Sequence, residues 1–199
     1  MNNQISPGAL ATTHFQNSEY PLAVQEYQKL IADDPSSGYL HAMVALCHLQ
    51  QNNLEASEDM VQKGILKDPS YAGLYYIASG IRQRKKENGG AERYLLKALS
   101  LRPGDADYLG LLATMQNQRQ EWHLAFQTAT RGLESQKNHP VCAKQVTIAL
   151  GGLNKQIGRA RKFPGFLSLR DNLLIVLYES LGRISKTLSG VWQRRGKSG

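Results

Sequence analysis

Histidine and cysteine are the residue types in this sequence that could bind a metal ion or act as a general base. His14 and His48 are 34 residues apart, at equivalent places that could be neighbours in space. Cys47 directly precedes His48, and His41 lies two helical turns earlier. A zinc site needs about four converging ligands, usually with two of them at a short, defined spacing. No pair here has such a spacing. We therefore expect no metal and no cofactor, and we assign these histidines a structural role.

Catalytic motifs are also missing from the chain. It contains neither a Gly-x-Ser-x-Gly elbow nor paired carboxylates at a helical spacing that would suit a cleft. Gly89-Gly90 resembles part of a phosphate loop, but it lacks the lysine–serine ending and lies in a predicted turn between two helices. The sequence therefore predicts a protein that is not an enzyme.

The net charge of +8 is confined to one end of the chain. Residues 1–154 contain 14 basic and 14 acidic residues, whereas residues 155–199 contain 10 Lys and Arg against only Asp171 and Glu179. A nucleic-acid-binding domain carries its basic stripe on the folded unit. The body of this chain is neutral, so we expect no nucleic-acid partner.

A period of about 34 residues, within the range that indicates a repeat array, organises the first two-thirds of the chain. Pro35, Pro69 and Pro103 recur at this spacing after predicted helices, which proline ends because it restricts the residue before it. Small residues recur in the predicted second helix of each unit, where they let antiparallel helices approach closely. They are Ala23, Ser57, Ala91 and Ala125 and, after Leu30 in the first copy, Gly64, Ala98 and Gly132. No segment alternates apolar and polar residues for long enough to form a strand, so the fold class is predicted to be all-α.

This pattern resembles the tetratricopeptide repeat (TPR), a helix–turn–helix unit of the same length. The resemblance implies a right-handed solenoid of about four repeats, at residues 4–37, 38–71, 72–105 and 106–139. In the fourth repeat Lys137 occupies the expected proline position and Pro140 comes three residues late, which suggests a short insertion at residues 136–139. Residues 140–165 resemble a degenerate fifth half-repeat, whose second helix is interrupted by Pro164-Gly165.

Polar residues mark the predicted starts of three second helices. Ser18, Asn53 and Asn88 each stand just before an apolar helical run. Serine and asparagine are preferred N-cap residues because their side chains accept hydrogen bonds from the first free backbone amides. We predict that all three are N-caps.

The resemblance also implies a protein or peptide partner, because TPR proteins generally bind peptides on the concave face of their first helices. On this chain that face would carry mainly hydroxyl, amide and aromatic side chains: Thr12, Gln16, Tyr39, Leu46, Gln50, Tyr76, Gln83, Arg84, Thr114 and Gln118. The TPR subclass that grips chaperone C-termini carries Lys, Asn and further basic residues at places that here read Gly8, Thr12, Met43, Gly73 and Ile77. We therefore expect a peptide held by stacking and hydrogen bonds. A face that is only solvated, or covered by the chain's own tail, is the alternative.

The basic run Arg82-Gln83-Arg84-Lys85-Lys86 lies at the end of the third predicted first helix and in the following turn. Charge runs usually serve solubility, which favours a solvated turn. The alternative is a positive rim that captures acidic residues of a bound peptide.

Residues 166–199 form a region of different character. Between 166 and 192 an apolar stripe recurs every three or four residues, with basic residues largely between its members, which predicts a basic amphipathic helix followed by a frayed end. The stripe includes Leu174, Leu177, Tyr178, Leu181, Ile184 and Leu188. Such a helix could cap the repeats by docking on the last helix or lie on an anionic membrane. It could also bind a partner, or be the degenerate end of a longer array.

These features together predict a non-enzymatic protein–protein interaction scaffold. The alternative is a peripheral membrane-surface adaptor, anchored through weak contact of the basic tail. Two cysteines about 95 residues apart make no disulfide framework, so a reducing compartment is expected. No apolar stretch approaches the roughly 20 residues of a membrane span, and the first twenty residues do not resemble a secretory signal. The expected location is the cytoplasm, with membrane association as the alternative.

Overall fold

The computed structural model describes residues 6–160, with side chains through residue 156. All regular structure within these residues is α-helical, which confirms the predicted fold class. The chain divides into two compact units, Met1–Pro103 and Gly104–Gly199. The amphipathic helix predicted at 166–192 lies outside the described residues.

The first unit contains three helical hairpins. Their helices are α1 (Pro7–Gln16), α2 (Tyr20–Asp33), α3 (Gly38–Gln50), α4 (Leu54–Lys67), α5 (Ala72–Arg84) and α6 (Asn88–Leu101). Besides the contacts within each hairpin, α2 packs on α3, and α3 and α4 both pack on α5. Each second helix therefore contacts the first helix of its own hairpin, and in α2 and α4 also that of the next.

The second unit repeats this arrangement with α7 (Ala106–Gln118), α8 (Trp122–Ser135) and α9 (Pro140–Ala160). Helix α8 packs on both α7 and α9, and α7 also contacts α9. Phe126, Ala149 and Leu153 form the buried contact between α8 and α9, with Trp122 packed against them.

The predicted insertion at residues 136–139 is wrong. Helix α9 begins at Pro140, one full repeat period after the start of α7 at Ala106, so the spacing of the first helices is unchanged. Proline at the first position of a helix is favoured because its missing amide proton would be unpaired there. Pro140 therefore starts α9 and is not a delayed helix stop. The predicted repeat boundaries stay predictions.

Small side chains lie where the helices of each hairpin approach. Two sets that recur with the repeat period are completely buried: Ala11, Ala45, Ser79 and Ala113 on first helices, and Ala23, Ser57, Ala91 and Ala125 on second helices. Ser57 Oγ donates a 2.7 Å hydrogen bond to the carbonyl of Ala45, so its polar atom is satisfied at the contact. Gly64 has room for no side chain, because an added Cβ would lie 2.8 Å from His41 Cβ and 2.6 Å from Leu74 Cδ2.

The turn inside every hairpin has the same backbone conformation. Ser18, Asn52, Lys86 and Gln120, which again recur with the repeat period, have φ values of 63°, 60°, 62° and 62°. Each first helix ends in a Schellman motif, in which the amide of the next residue donates to a carbonyl five residues earlier, as from Glu87 to Arg82 at 2.8 Å. This closure fixes where the second helix starts.

Only one of the three predicted N-caps is confirmed. Asn53 caps α4 by accepting a 3.2 Å hydrogen bond from the amide of Ala56. Ser18 is wrong because it occupies the left-handed turn position, and Glu19 is the N-cap of α2. Asn88 is wrong because α6 already begins there, with Glu87 as its N-cap.

We predict that Gly64→Ala destabilises the first unit by about 1–3 kcal/mol, because the added methyl overpacks the contact among α3, α4 and α5. The matched control is Gly89→Ala in α6, where an added Cβ meets nothing within 4 Å. That change should stabilise by about 0.5 kcal/mol through helix propensity. Urea unfolding measures both, and equal effects of the two substitutions would contradict the packing explanation.

We predict that Lys86→Gly stabilises the chain by about 1 kcal/mol, because glycine adopts the left-handed conformation without the strain of a Cβ. Lys86→Ala is the control, since it removes the same side chain but keeps the strain. Chemical denaturation should show a higher midpoint for the glycine variant alone. A rise of the same size in both variants would assign the gain to the lost charge.

Candidate peptide-binding site

The predicted binding residues fall on the first helices of both units. Eight lie on α1, α3 and α5 of the first unit, and we call this surface the first-helix face: Thr12, Gln16, Tyr39, Leu46, Gln50, Tyr76, Gln83 and Arg84. Thr114 and Gln118 lie on α7 of the second unit. Gln16, Gln50 and Arg84 each occupy the last position of their helix, and Gln118 occupies that position in α7.

Some residues of the first-helix face are exposed, and others are half-buried because they pack against the core. Gln16, Gln50 and Arg84 are exposed, as is Gln118 on α7. Leu46 and Tyr76 are half-buried and pack against the core between α3 and α5. A ligand on this surface would therefore meet exposed amide groups at the C-terminal ends of the helices and fixed apolar surface in the middle.

The threonines of the predicted site donate to their own helices. Thr12 Oγ1 donates to the carbonyl of Gly8 and Thr114 Oγ1 to that of Gly110, both at 2.8 Å. Thr12 Oγ1 also lies 3.5 Å from the hydroxyl of buried Tyr27. Since each hydroxyl proton is engaged within the helix, these threonines offer a ligand a methyl group and an acceptor oxygen.

An aromatic pair lies at the N-terminal end of the first-helix face. Tyr39 is 44% exposed, and its ring meets that of Tyr71 edge-on, with centroids 6.3 Å apart. Tyr71 lies across Gly73, where an added Cβ would come 2.6 Å from its Cε1 atom. Burial raises the pKa of the Tyr71 hydroxyl above its ordinary value of 10.0. Sequence reasoning missed Tyr71 because it precedes α5, although its spacing from Gly73 was a usable signal.

Two polar residues at the end of α5 have unequal roles. The guanidinium of Arg84 donates to the carbonyl of Leu49 and so ties the end of α5 to the last turn of α3. The side-chain nitrogen of Gln83 is buried and has no hydrogen-bond partner within the described part of the chain. Arg84 is thus a structural contact as well as an exposed cation.

The basic run beside the face forms an ion-pair network between hairpins. Arg82 pairs with both Glu58 and Glu87, the latter at 2.8 Å, and Lys85 donates to Glu58 at 2.5 Å. Glu58 lies on α4, so the network joins the second hairpin to the third. The structure therefore gives Arg82 and Lys85 an internal role that neither the solvated-turn nor the positive-rim interpretation anticipated.

The network also changes the acid–base properties of its members. The hydrogen bond from Lys85 is the main cause that holds the pKa of Glu58 below its ordinary value of 4.5, and the charge of Arg82 adds to it. The hydrogen bond with Glu87 raises the pKa of Arg82. Both shifts favour the charged forms, so the pairs persist at neutral pH.

Three of the five histidines have local hydrogen-bond partners, whereas Nδ1 of His48 is buried with no partner among the described residues. His14 Nδ1 lies 2.6 Å from Glu19 Oε2, and His41 Nδ1 lies 2.9 Å from the carbonyl of Ser37. In the second unit His139 accepts from the amide of Cys142 and contacts Asp107 through Nε2 at 3.0 Å. Between residues 6 and 156, no three His, Cys, Asp or Glu side chains are grouped so that they could hold a metal ion.

Both cysteines are buried thiols. Burial raises the pKa of Cys47 and of Cys142 to about 11. Cys142 Sγ lies 3.3 Å from the carbonyl of Ala106. At neutral pH these groups are protonated, and the thiolate is the nucleophilic form of cysteine.

Comparison with solved structures identifies the fold. A thermophilic TPR protein of Thermus thermophilus matches 86% of this chain and 97% of its own, with 16% identity and a TM-score of 0.62. PilF of Pseudomonas aeruginosa matches 98% of this chain and 91% of its own, with 18% identity and a TM-score of 0.66. The chain has the TPR fold. A structure of Naa15/Naa10 bound to HypK-THB also matches 80% of this chain and 25% of its own, with 18% identity and a TM-score of 0.57.

Comparison with curated proteins gives a shorter match. The general transcriptional corepressor ssn6 of Schizosaccharomyces pombe is 26% identical over 96 residues. These cover 47% of this chain and 9% of the corepressor, so the chain spans a small part of that relative. No protein-family model matches the chain. The predicted resemblance to TPR proteins is confirmed by the fold.

The TPR helices described here do not include a membrane span. Between residues 6 and 160, no helix combines the length and the apolar character that crossing a bilayer requires.

We predict that Glu58→Gln destabilises the first unit by about 1–2 kcal/mol at pH 7, because it removes the shared partner of Arg82 and Lys85. The pKa of Glu58 is lowered on folding, so its stabilising contribution is present above pH 4.5 and is lost as the pH falls through the folded pKa. The stability difference between wild type and variant should therefore shrink as the pH falls below 4.5.

The control for this prediction is the neighbouring Asp59→Asn. Asp59 pairs with Lys63 at 2.7 Å, but both side chains are 58% exposed, so the loss should be about 0.5 kcal/mol or less. Denaturant unfolding across a pH series distinguishes the two variants. A cost that is as large for Asp59→Asn, or that does not change with pH, would contradict the assigned role of Glu58.

Proposed function

We propose that this protein is a non-enzymatic interaction scaffold that binds a peptide or helix of a partner protein on the first-helix face. The observation that carries the proposal is the exposed ring of Tyr39, held edge-on by Tyr71 at one end of a surface that ends in Gln16 and Gln50 at the other. Tyrosines of this kind dominate binding energy at interfaces, because a large ring loses little rotational freedom on binding.

The remaining side chains support a neutral, extended ligand. The amides of Gln16 and Gln50 can each donate and accept hydrogen bonds, which suits the alternating groups of a peptide backbone. Charge contributes less than the basic run suggests, because Arg82 and Lys85 are engaged with Glu58 and Glu87, although Arg84 is an exposed cation of the face. A partner held mainly by stacking and amide hydrogen bonds fits this surface better than a strongly acidic peptide does.

The absence of catalysis is supported by the state of the candidate nucleophiles. Cys47 and Cys142 are fully buried, and burial raises the pKa of both thiols to about 11. His41 is engaged with the backbone of its own helix. A nucleophile needs a nearby base and access to a substrate. The two buried thiols lack that access, and His41 is already engaged in a hydrogen bond.

The related structure of Naa15/Naa10 bound to HypK-THB is a complex of proteins. At this level of identity it lends general support to a protein partner and does not indicate which one. A membrane-surface adaptor anchored by the tail remains the second candidate, and the concentration of the whole +8 charge in residues 155–199 favours it.

The test selects peptides from a random display library against the full chain and measures their Kd by fluorescence anisotropy. Tyr39→Ala should weaken selected peptides about tenfold or more, and Gln50→Ala severalfold. Leu66→Ala is the matched control, because Leu66 is a larger exposed apolar surface at 83% exposure but lies on the second helix α4. Loss of binding with Leu66→Ala and not with Tyr39→Ala would contradict the proposal, as would failure to select any peptide.

A further inference from the structure

One side of α9 is unlike the same side of the other first helices. Pro140, Ala143, Thr147 and Gly151 follow one another at steps of three, four and four residues, so they form a line along the helix. We call this line the α9 stripe. All four of its residues are exposed.

The counterparts of the α9 stripe on other first helices are buried. On α7 they are Ala106, Leu109, Ala113 and Asn117, which are 6%, 2%, 0% and 6% exposed. On α3 they are Gly38, His41, Ala45 and Leu49, which are also buried. In both helices this line is covered by the second helix of the hairpin.

Two contacts show what covers these lines. Ser57 of α4 donates to the carbonyl of Ala45 at 2.7 Å, and a Cβ built on Gly132 of α8 would lie 3.5 Å from Leu109 Cβ. Helix α9 has no second helix at the equivalent place within residues 6–160. By the repeat period that helix would start at residue 156, but α9 continues through Ala160.

We propose that the amphipathic segment 166–192 packs antiparallel on the α9 stripe and takes the place of the missing second helix. Residues 161–165, which include Pro164-Gly165, give enough chain for a reversal of direction. With equal rise along both helices, residue 166 would lie near residue 160. Leu174, Tyr178 and Leu181 would then lie near Gly151, Thr147 and Ala143.

Size complementarity favours this occupant. The α9 stripe carries small side chains, and the apolar stripe of the segment carries large ones, so large residues can fill the groove that small residues leave. The same device already operates on another side of α9. There a Cβ on Gly152 would come 2.2 Å from Trp122 Cδ2, so the indole of α8 occupies the space of a side chain.

Charge agrees with the same register. Lys155 is exposed on α9 one turn after Gly151, on the same line as the stripe. In the antiparallel arrangement its neighbour is Asp171, one of the two acidic residues of the region. The other, Glu179, falls on the opposite side of the segment from Leu174 and Leu181, when 100° is counted per helical residue. The packed segment would therefore expose Arg183, Lys186 and Glu179 to solvent, whereas Arg170 would lie on the packed side, one turn before Leu174.

The first experiment measures trypsin cleavage of the full chain between residues 166 and 195 by mass spectrometry. Thr147→Arg should accelerate cleavage about tenfold, because protection depends on how often the docked segment opens. Ile148→Arg is the control, since Ile148 is 40% exposed but lies one residue off the stripe. Equal cleavage of wild type and Thr147→Arg would overturn the proposal.

The second experiment tests the geometry without a disruptive charge. Thr147→Cys combined with Tyr178→Cys should react with a short bismaleimide to give an intramolecular cross-link in high yield. Thr147→Cys combined with Glu179→Cys should not, because residue 179 faces away. Equal yields from the two pairs would overturn the proposal. So would protection from trypsin that appears only when anionic phosphatidylserine vesicles are added, since that result assigns the segment to a membrane.

Discussion

Close approach of paired helices through alanine, serine and glycine is the contact on which the rest of this structure depends. Ala45 on α3 and Ser57 on α4 are both completely inaccessible to solvent, and a hydrogen bond joins the two helices there. Where backbones come this close, neighbouring large side chains interdigitate on either side and exclude water. Because the contact recurs once in every repeat period, the two helices of every hairpin pack at equivalent small residues.

That contact also decides which side chains are free for other tasks. One line of residues on a first helix packs against its own second helix, and another line packs against the adjoining hairpin. On α3 the first of these lines includes His41, Ala45 and Leu49, which are buried. The remaining surface carries no packing requirement. Tyr39 and Gln50 lie on that surface and are exposed. A scaffold of this construction separates stability from recognition.

The sequence predicted the features that recur with the period, and it missed features at residues whose type suits two different local roles. The small positions and the cap at Asn53 follow from local rules that hold in each copy. Ser18 was misassigned because the Schellman turn, which is a backbone requirement, overrode its side-chain preference for capping. Pro140 was misassigned because proline both ends a helix and starts one, and only the position of α9 distinguishes these roles.

The candidate site was less predictable because several of its contacts join different hairpins. Tyr71, the N-cap of α5, pairs with Tyr39 of α3, and its place depends on the space above Gly73. The partner of Arg82 and Lys85 is Glu58, on the preceding hairpin. Pairings of this kind depend on how two hairpins meet, so a repeat pattern read one copy at a time does not contain them.

The two buried thiols make each unit a reporter of its own local opening. Cys47 lies in the core formed by α1, α2 and α3. Cys142 of α9 lies against Gly132 of α8 and the carbonyl of Ala106 of α7. A thiol reagent can reach either one only when its surroundings separate, so the rate of modification follows the frequency of that excursion. Each unit thus contains a native cysteine whose modification rate measures local opening, and neither measurement requires an engineered label.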